Sequence, residues 1–325
     1  MTFMFCRTWP GRFHRSMKAL INPLLTVLLL LGVQLPVQAL SLEDIQDNGE
    51  ISVAVYRDFP PYSWLDGDEA KGFDVDIARE LASGLGVKLH LHWMIPDENL
   101  DDDLRNHVWK GHYLARIEDE AMLRREVADV MLRVPYDREF AFKVDPDGLV
   151  INDLVHFFAP YQRERWELLI DTDKVEDIQN LAYFNYEKVG VEIDTLPDFY
   201  LVGAFRGMLR KNVVHYTTTV DALNGMGAGE VGAVMGMKSQ LEWGMQALNE
   251  KAGRERFVLA DIPMPNLTKR FWEVGMAVKD DHRGLAYALE DVITRLVTSG
   301  EMARIAERYH FEFLKTDFYR VMESQ

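Results

Sequence analysis

Gly72-Phe73-Asp74-Val75-Asp76-Ile77-Ala78-Arg79-Glu80-Leu81-Ala82 is the stretch whose reading organises the rest of the chain. Phe73, Ile77, Leu81 and Leu85 recur every four residues and so stack on one face of a helix. Asp74 and Asp76 fall in its first turn, where they complement the helix dipole and need no other role. Gly84 and Gly86 mark its end. Upstream, Ile51-Ser-Val-Ala-Val-Tyr56 is rich in strand formers and stops at Phe59-Pro60-Pro61, because proline donates nothing to a ladder. Asp66-Gly67-Asp68 is a turn, and downstream Val87 to Trp93 alternates apolar with polar as a second strand.

The same alternation of strand and helix continues outward. Ala128–Leu132 reads as a third strand, and Leu149–Ile151 and His156–Phe158 are short β-rich pieces after the Asp145–Gly148 turn. Lys188–Ile193, Glu230–Met235 and Val274–Val278 read as further strands, and Thr219–Leu223 opens a helix. Leu285, Leu289, Val292, Ile293 and Leu296 share one helical face, and a short helix covers Met302–Tyr309. Strands alternating with helices predict an α/β protein, and two such blocks predict two lobes with a cleft beyond the carboxyl ends of the strands.

Composition narrows the function. The chain has 325 residues, 36 Lys+Arg against 52 Asp+Glu, and one cysteine. A formal charge of −16 disfavours nucleic acid, whose binding relies on clustered cations releasing counterions. The cysteine is Cys6, in a segment where Arg7, Arg12, Arg15 and Lys18 precede an apolar run from Leu24 to Val33 and then Val37-Gln38-Ala39. That order is the order of a secretory signal peptide, with cleavage expected after Ala39. The apolar run is too short for a membrane span. Removing four basic and no acidic residues takes the formal charge to −20 and leaves an exported protein without cysteine. A periplasmic location is expected.

Gly72 to Ala82 resembles the signature of bacterial extracellular solute-binding proteins of family three, the periplasmic components of amino-acid ABC importers. Val53 to Trp64 resembles that family's first strand and aromatic binding loop, Gly225 to Met235 its second-lobe helix and turn, and Gly275 to Tyr309 its closing strand and helix. The resemblance implies a type II, two-lobe periplasmic binding fold with a mixed sheet in each lobe, crossed twice at a hinge. It implies lobe 1 from residues 40–153 and 272–325 and lobe 2 from residues 154–271. It also implies a monomer that hands a small solute to an inner-membrane ABC permease, with no cofactor and no catalytic residue.

The resemblance places Tyr62 or Trp64 where an aromatic ring packs on the ligand. Tyr136 and Arg138 lie in Val134-Pro-Tyr-Asp-Arg138, where the family has a threonine-rich turn ending in an arginine that clamps a carboxylate. A second register puts Phe140 at that arginine position. In lobe 2 the Gly-Thr-Thr turn is replaced by Asp194-Thr195-Leu196-Pro197-Asp198, and Met237 falls where an aspartate pairs with the ligand ammonium. Asp194 or Asp198 would have to serve instead, or the ligand is not an ordinary α-amino acid; the departures favour the second. Short motifs at residues 134–137 and 196–200 are also similar to a branch associated with periplasmic quinoprotein methanol dehydrogenases, which implies an accessory role as an alternative.

Other chemistry finds little support. His90 and His92 share a strand face without a third ligand nearby, and Asp101-Asp102-Asp103 lacks the spacing of a calcium loop, so no metal is expected. His107 and His112 flank Trp109 and are read as solvent-exposed. No nucleophile elbow, P-loop or dinucleotide glycine pattern is present. A cleft enzyme such as a dehydratase remains a further alternative, and it requires a buried acid near the aromatic loop.

Overall fold

A computed structural model describes residues 41–111, 127–176 and 178–323. The expected export signal at residues 1–39, with Cys6, and His112 lie outside the described residues. Among the described residues no helix is long and apolar enough to cross a membrane.

The chain begins with α1 (Leu42–Asn48), β1 (Glu50–Tyr56), a small hairpin of β2 (Trp64–Asp66) and β3 (Glu69–Lys71), α2 (Phe73–Leu85) and β4 (Lys88–Met94). Next come α3 (Leu100–Leu104), which runs into a π-helical turn at Arg105–Trp109, then β5 (Val130–Pro135), α4 (Arg138–Ala141) and the long β6 (Val155–Asp171). The middle of the chain holds β7 (Val189–Glu192), α5 (Leu196–Gly207), β8 (Val213–Tyr216), α6 (Thr219–Gly227), β9 (Ala233–Met237), α7 (Lys238–Ala252) and β10 (Phe257–Ala260). It closes with β11 (Phe271–Lys279), α8 (Arg283–Thr298), α9 (Glu301–Arg308) and α10 (Asp317–Glu323).

The main sheet runs β4-β1-β5-β11-β6-β9-β7-β8, with β10 also paired to β6. β1 is parallel to β4 and β5, and β7 is parallel to β8 and β9. β11 and β6 run antiparallel to their neighbours and join the two parallel groups. Val155 to Arg165 of β6 pair with β11, whereas Trp166 to Ile170 pair with β9. One strand therefore belongs to both lobes. This is the two-lobe, mixed-sheet α/β architecture that the resemblance implies.

The sequence reading found only His156–Phe158 of that strand. Pro160 and the polar run Gln162-Arg163-Glu164-Arg165 hide it, because they occupy the passage between the lobes and not a two-sided apolar core. Ala159 takes φ 45°, and the β11 pairing shifts register between Val274 and Met276, so the strand bends beside the proline. A β-carbon at Gly275 would lie 2.7 Å from the Phe158 carbonyl oxygen, which leaves glycine as the residue that fits.

Each half of the sheet is covered on both faces. Val53, Val55, Val130 and Leu132 pack with Phe73, Ile77 and Leu81 of α2 and with Leu285, Leu289 and Ile293 of α8. Ala54 and Met131, one residue out of step, pack on the other face with Met94, Leu104 and Val108. In the second half, Val189, Val191 and Met235 join Leu201, while Val234 and Leu169 join Leu223 and Leu241. The period-two alternation read from the sequence is what sorts these residues onto opposite faces. At Gly72, φ is 129° and a β-carbon would lie 2.1 Å from the Tyr62 carbonyl oxygen, so the close approach of the aromatic loop to α2 requires glycine.

Candidate functional site in the interlobe cleft

Two adjoining chambers open where the carboxyl ends of the parallel strands face one another. The smaller, about 110 Å³, is lined by Phe59, Trp166, Glu192, Thr195, Pro197, Thr219, Met235, Gly236, Met237 and Gln240. The larger, about 230 Å³, is lined by Tyr56, Phe59, Leu100, Arg133, Pro135, Met237, Trp272 and Val274. Phe59 and Met237 border both, and the Trp166 and Trp272 rings lie 4.7 Å apart, centroid to centroid. The walls are mainly aromatic and apolar, with a few polar groups, as suits a small-molecule site.

Arg133 interrupts the apolar β5 and adopts φ 61°, a conformation that costs a residue with a β-carbon about 1 kcal/mol or more. The backbone twist breaks the strand's alternation, so Leu132 packs with the α2 core and Val134 with the opposite face. Arg133 Nε donates to Asp74 Oδ2 at 2.6 Å, and Nη2 donates to Asp74 Oδ1 at 3.0 Å. Nη2 also donates to Gln162 Oε1 at 2.8 Å, and the guanidinium carbon lies 3.4 Å from the Tyr62 ring centroid. Burial, the largest single effect, would lower the pKa of this guanidinium, but the Asp74 charge and hydrogen bond together with the Tyr161 and Tyr62 hydroxyls outweigh it and raise the pKa. Its charge is thus matched inside the protein before any ligand arrives.

A second buried group ties the lobes together. Tyr62 Oη, from the first lobe, donates to Glu164 Oε2 at 2.7 Å; Ser239 Oγ, at the start of α7 in the second, donates to the same oxygen at 2.6 Å. Glu164 rides on β6 between them and is fully buried. Burial, and then the Glu164 charge, push the Tyr62 phenol well above its usual range, so it stays a donor. Tyr161 Oη donates to Asp74 Oδ1 at 3.2 Å and accepts from the Arg133 backbone N–H at 3.1 Å, extending the network.

The wall contributed by the second lobe is built from helix starts. Glu192 Oε2, at the end of β7, accepts from the Thr219 backbone N–H at 2.9 Å and from Thr219 Oγ1 at 2.8 Å, capping α6. Thr195 Oγ1 donates to the Glu192 carbonyl oxygen at 2.7 Å. Asp198, buried in the first turn of α5, accepts from the Asp194 backbone N–H at 3.1 Å and meets His215 Nε2 at 2.9 Å. Lys238 is buried and paired with Glu242 at 2.5 Å and with Glu312 at 2.9 Å.

The residues expected from sequence separate into groups. Thr195 and Met237 line the smaller chamber, and Met237 also lines the larger. Tyr62 is fully buried behind them, with Arg133 over its ring. Trp64 lies against Tyr309 and Trp243, with ring centroids 5.7 and 6.2 Å away. Tyr136 and Arg138 line a different, open cavity of about 650 Å³, shared with Asn152, His156 and Arg283. Asp194 is exposed at φ 61°. The sequence reading missed Phe59, Arg133, Trp166, Glu192, Gln240 and Trp272. Arg133 carried a signal, a lone charge inside an apolar strand; the two tryptophans lie on strands recognised only in part.

His92 Nε2 and His107 Nδ1 lie 2.9 Å apart, and Asp97, Asp103 and His107 bring three potential metal ligands within 4.8 Å of one another. His107 is half-buried, not open to solvent as expected from sequence. Burial, and then the neighbouring carboxylates, outweigh the hydrogen bonds from the Asp97 backbone and the Tyr56 hydroxyl and raise the Asp103 carboxyl. These bonds hold the loop after β4 against α3.

Residues 51–108 match the model of bacterial extracellular solute-binding proteins, family 3. A segment of 77 residues is 38% identical to cyclohexadienyl dehydratase of Pseudomonas aeruginosa, covering 23% of this chain and 28% of that protein. The chain thus spans less than a third of the length of this curated relative. Among solved structures, the fold is similar to an ancestral cationic amino acid solute-binding protein, with a TM-score of 0.59, 18% identity, and coverage of 83% of this chain and 99% of that one. It is also similar to an amino acid ABC transporter substrate-binding protein from Streptococcus pneumoniae bound to L-arginine, with a TM-score of 0.55, 20% identity, and coverage of 85% and 100%. At these identities the structural matches establish the fold.

Proposed function

We propose that this protein is a periplasmic solute-binding protein that captures one small solute between its lobes and presents it to an inner-membrane ABC permease. The lobes are taken as residues 40–153 with 272–325, and residues 154–271, after a cleaved signal at residues 1–39. The observation that carries the reading is the pair of aromatic-walled chambers lined from both lobes and from the strands that join them. Closure of such a cleft buries the solute, and opening releases it.

The solute is not an ordinary α-amino acid. A carboxylate needs an available cation or helix start, but Arg133 is spent on Asp74 and Lys238 on two glutamates. The α5 start already carries the buried Asp198 carboxylate, which would repel a second one.

The similarity to a dehydratase favours one second reading, a cleft enzyme. A buried acid that the aromatic loop reaches is Glu164, and its oxygen Oε2 is taken by Tyr62 and Ser239. Isothermal titration of protein unfolded and refolded to strip bound molecules, against a broad solute panel, tests the binding reading. One saturable site for one solute class supports it. Turnover of a bound solute, abolished by Glu164→Gln with binding intact, would replace it with the enzyme.

A further inference from the structure

We infer that the solute of this cleft is a small organic ammonium ion, a protonated amine with an apolar body and no carboxylate. This rests on the solute-binding reading above and names the chemical class that the same site fits. Among the described residues, those that line the smaller chamber present acceptors and no cation. Glu192 supplies a half-buried carboxylate whose Oε2 accepts from the two donors of Thr219. Gln240 supplies the second acceptor. Its Nε2 donates to the Pro60 carbonyl oxygen at 3.3 Å, which fixes the amide orientation because two oxygens would repel. Its Oε1 is left buried and, among the described residues, without a hydrogen-bond partner, in a residue only 3% exposed. Leaving a buried acceptor unpaired is costly, so a donor brought by the ligand is favoured at this position.

A protonated amine meets both requirements, since it offers a charge to Glu192 and an N–H to Gln240. A neutral alcohol leaves the carboxylate without a counter-charge. A quaternary ammonium has no N–H, and an amino acid adds a carboxylate beside Glu192 and Asp198. The chamber of about 110 Å³ is on the order of four water volumes, room for one head group. Phe59 and Met237 open it onto the larger chamber, where Tyr56, Trp272 and Val274 receive an apolar body. Aromatic walls also suit a cation.

The test is calorimetric titration of stripped protein at neutral pH with n-butylamine, beside butanol, tetramethylammonium and norleucine. The expected result is one saturable site for butylamine, with each of the other three weaker by about tenfold or more. Glu192→Gln keeps an oxygen for Thr219 and should weaken the amine by about tenfold or more. If that variant unfolds early, Gln240→Leu carries the same expectation through the other acceptor. Norleucine or butanol binding as tightly as butylamine, or an amine affinity indifferent to the folded variants, overturns the inference. Should the cleft capture an acidic or neutral solute and no amine, the ammonium inference fails and the solute-binding reading stands. Capture of no solute of any class defeats both.

Discussion

Arg133 and Asp74 form a bidentate ion pair, at 2.6 and 3.0 Å, in which both side chains are almost wholly buried behind the cleft. The pair joins the bent end of β5 to the first turn of α2, and it spends the arginine that borders the larger chamber. Asp74 was read from sequence as a dipole partner of its own helix. Its larger role is to neutralise Arg133.

Removing one partner of a buried pair strands the other charge. Arg133→Leu should therefore destabilise the protein by about 3–5 kcal/mol. Urea unfolding followed by tryptophan fluorescence measures this, and the double change with Asp74→Asn should recover part of the loss, because no bare carboxylate then remains.

Glu164 holds Tyr62 and Ser239 from opposite lobes on one oxygen. Glu164→Leu removes that shared acceptor and leaves two buried hydroxyls to find others, so the ligand-free protein should shift toward an open form. Small-angle scattering should show a larger radius of gyration for the variant than for the wild type, and solute affinity should fall in parallel.

Asp171, at the end of β6, is bound by Arg256 Nε at 2.8 Å and Nη2 at 2.7 Å. Burial, the largest single effect, would raise its carboxyl, but the Arg256 hydrogen bonds and charge, the Asp173 backbone N–H and the Lys174 charge together outweigh it and hold the carboxyl below its ordinary value of 3.8. A carboxyl lowered on folding stabilises the native state above its unfolded value and loses that contribution as pH falls through the lower folded value. Stability should thus drop on acidification below about pH 4. Asp171→Asn should be less stable at neutral pH and should show a flatter acid limb in a series of thermal melts.

Arg138 is exposed and faces the open cavity with Tyr136, away from both chambers. Arg138→Ala should leave solute affinity unchanged within about twofold, as for surface changes generally. Titration calorimetry of the variant checks it; a tenfold loss would move the binding site to that cavity.

Much of the fold was legible because periodicity reports burial. The four-residue spacing of Phe73, Ile77 and Leu81 and the alternation around Val53 and Val55 each place side chains that the core then uses. The length of β6 was not legible, since a strand passing between lobes carries Gln162, Glu164 and a proline where a core strand carries valine. The cleft was partly legible. Thr195 and Met237 were found by position, whereas Glu192 and Gln240 look in sequence like an ordinary strand end and an ordinary helix residue. Their meaning comes from Thr219 and Pro60, which are distant in sequence and supply or withhold hydrogen-bond partners.

Native mass spectrometry of freshly purified protein, beside a Met237→Trp variant that fills both chambers, tests the central claim most directly. The account predicts one small molecule carried per wild-type chain, released on gentle activation, and none carried by the folded variant. A wild-type protein with no adduct, or an adduct retained undiminished by Met237→Trp, would contradict a solute site between the lobes.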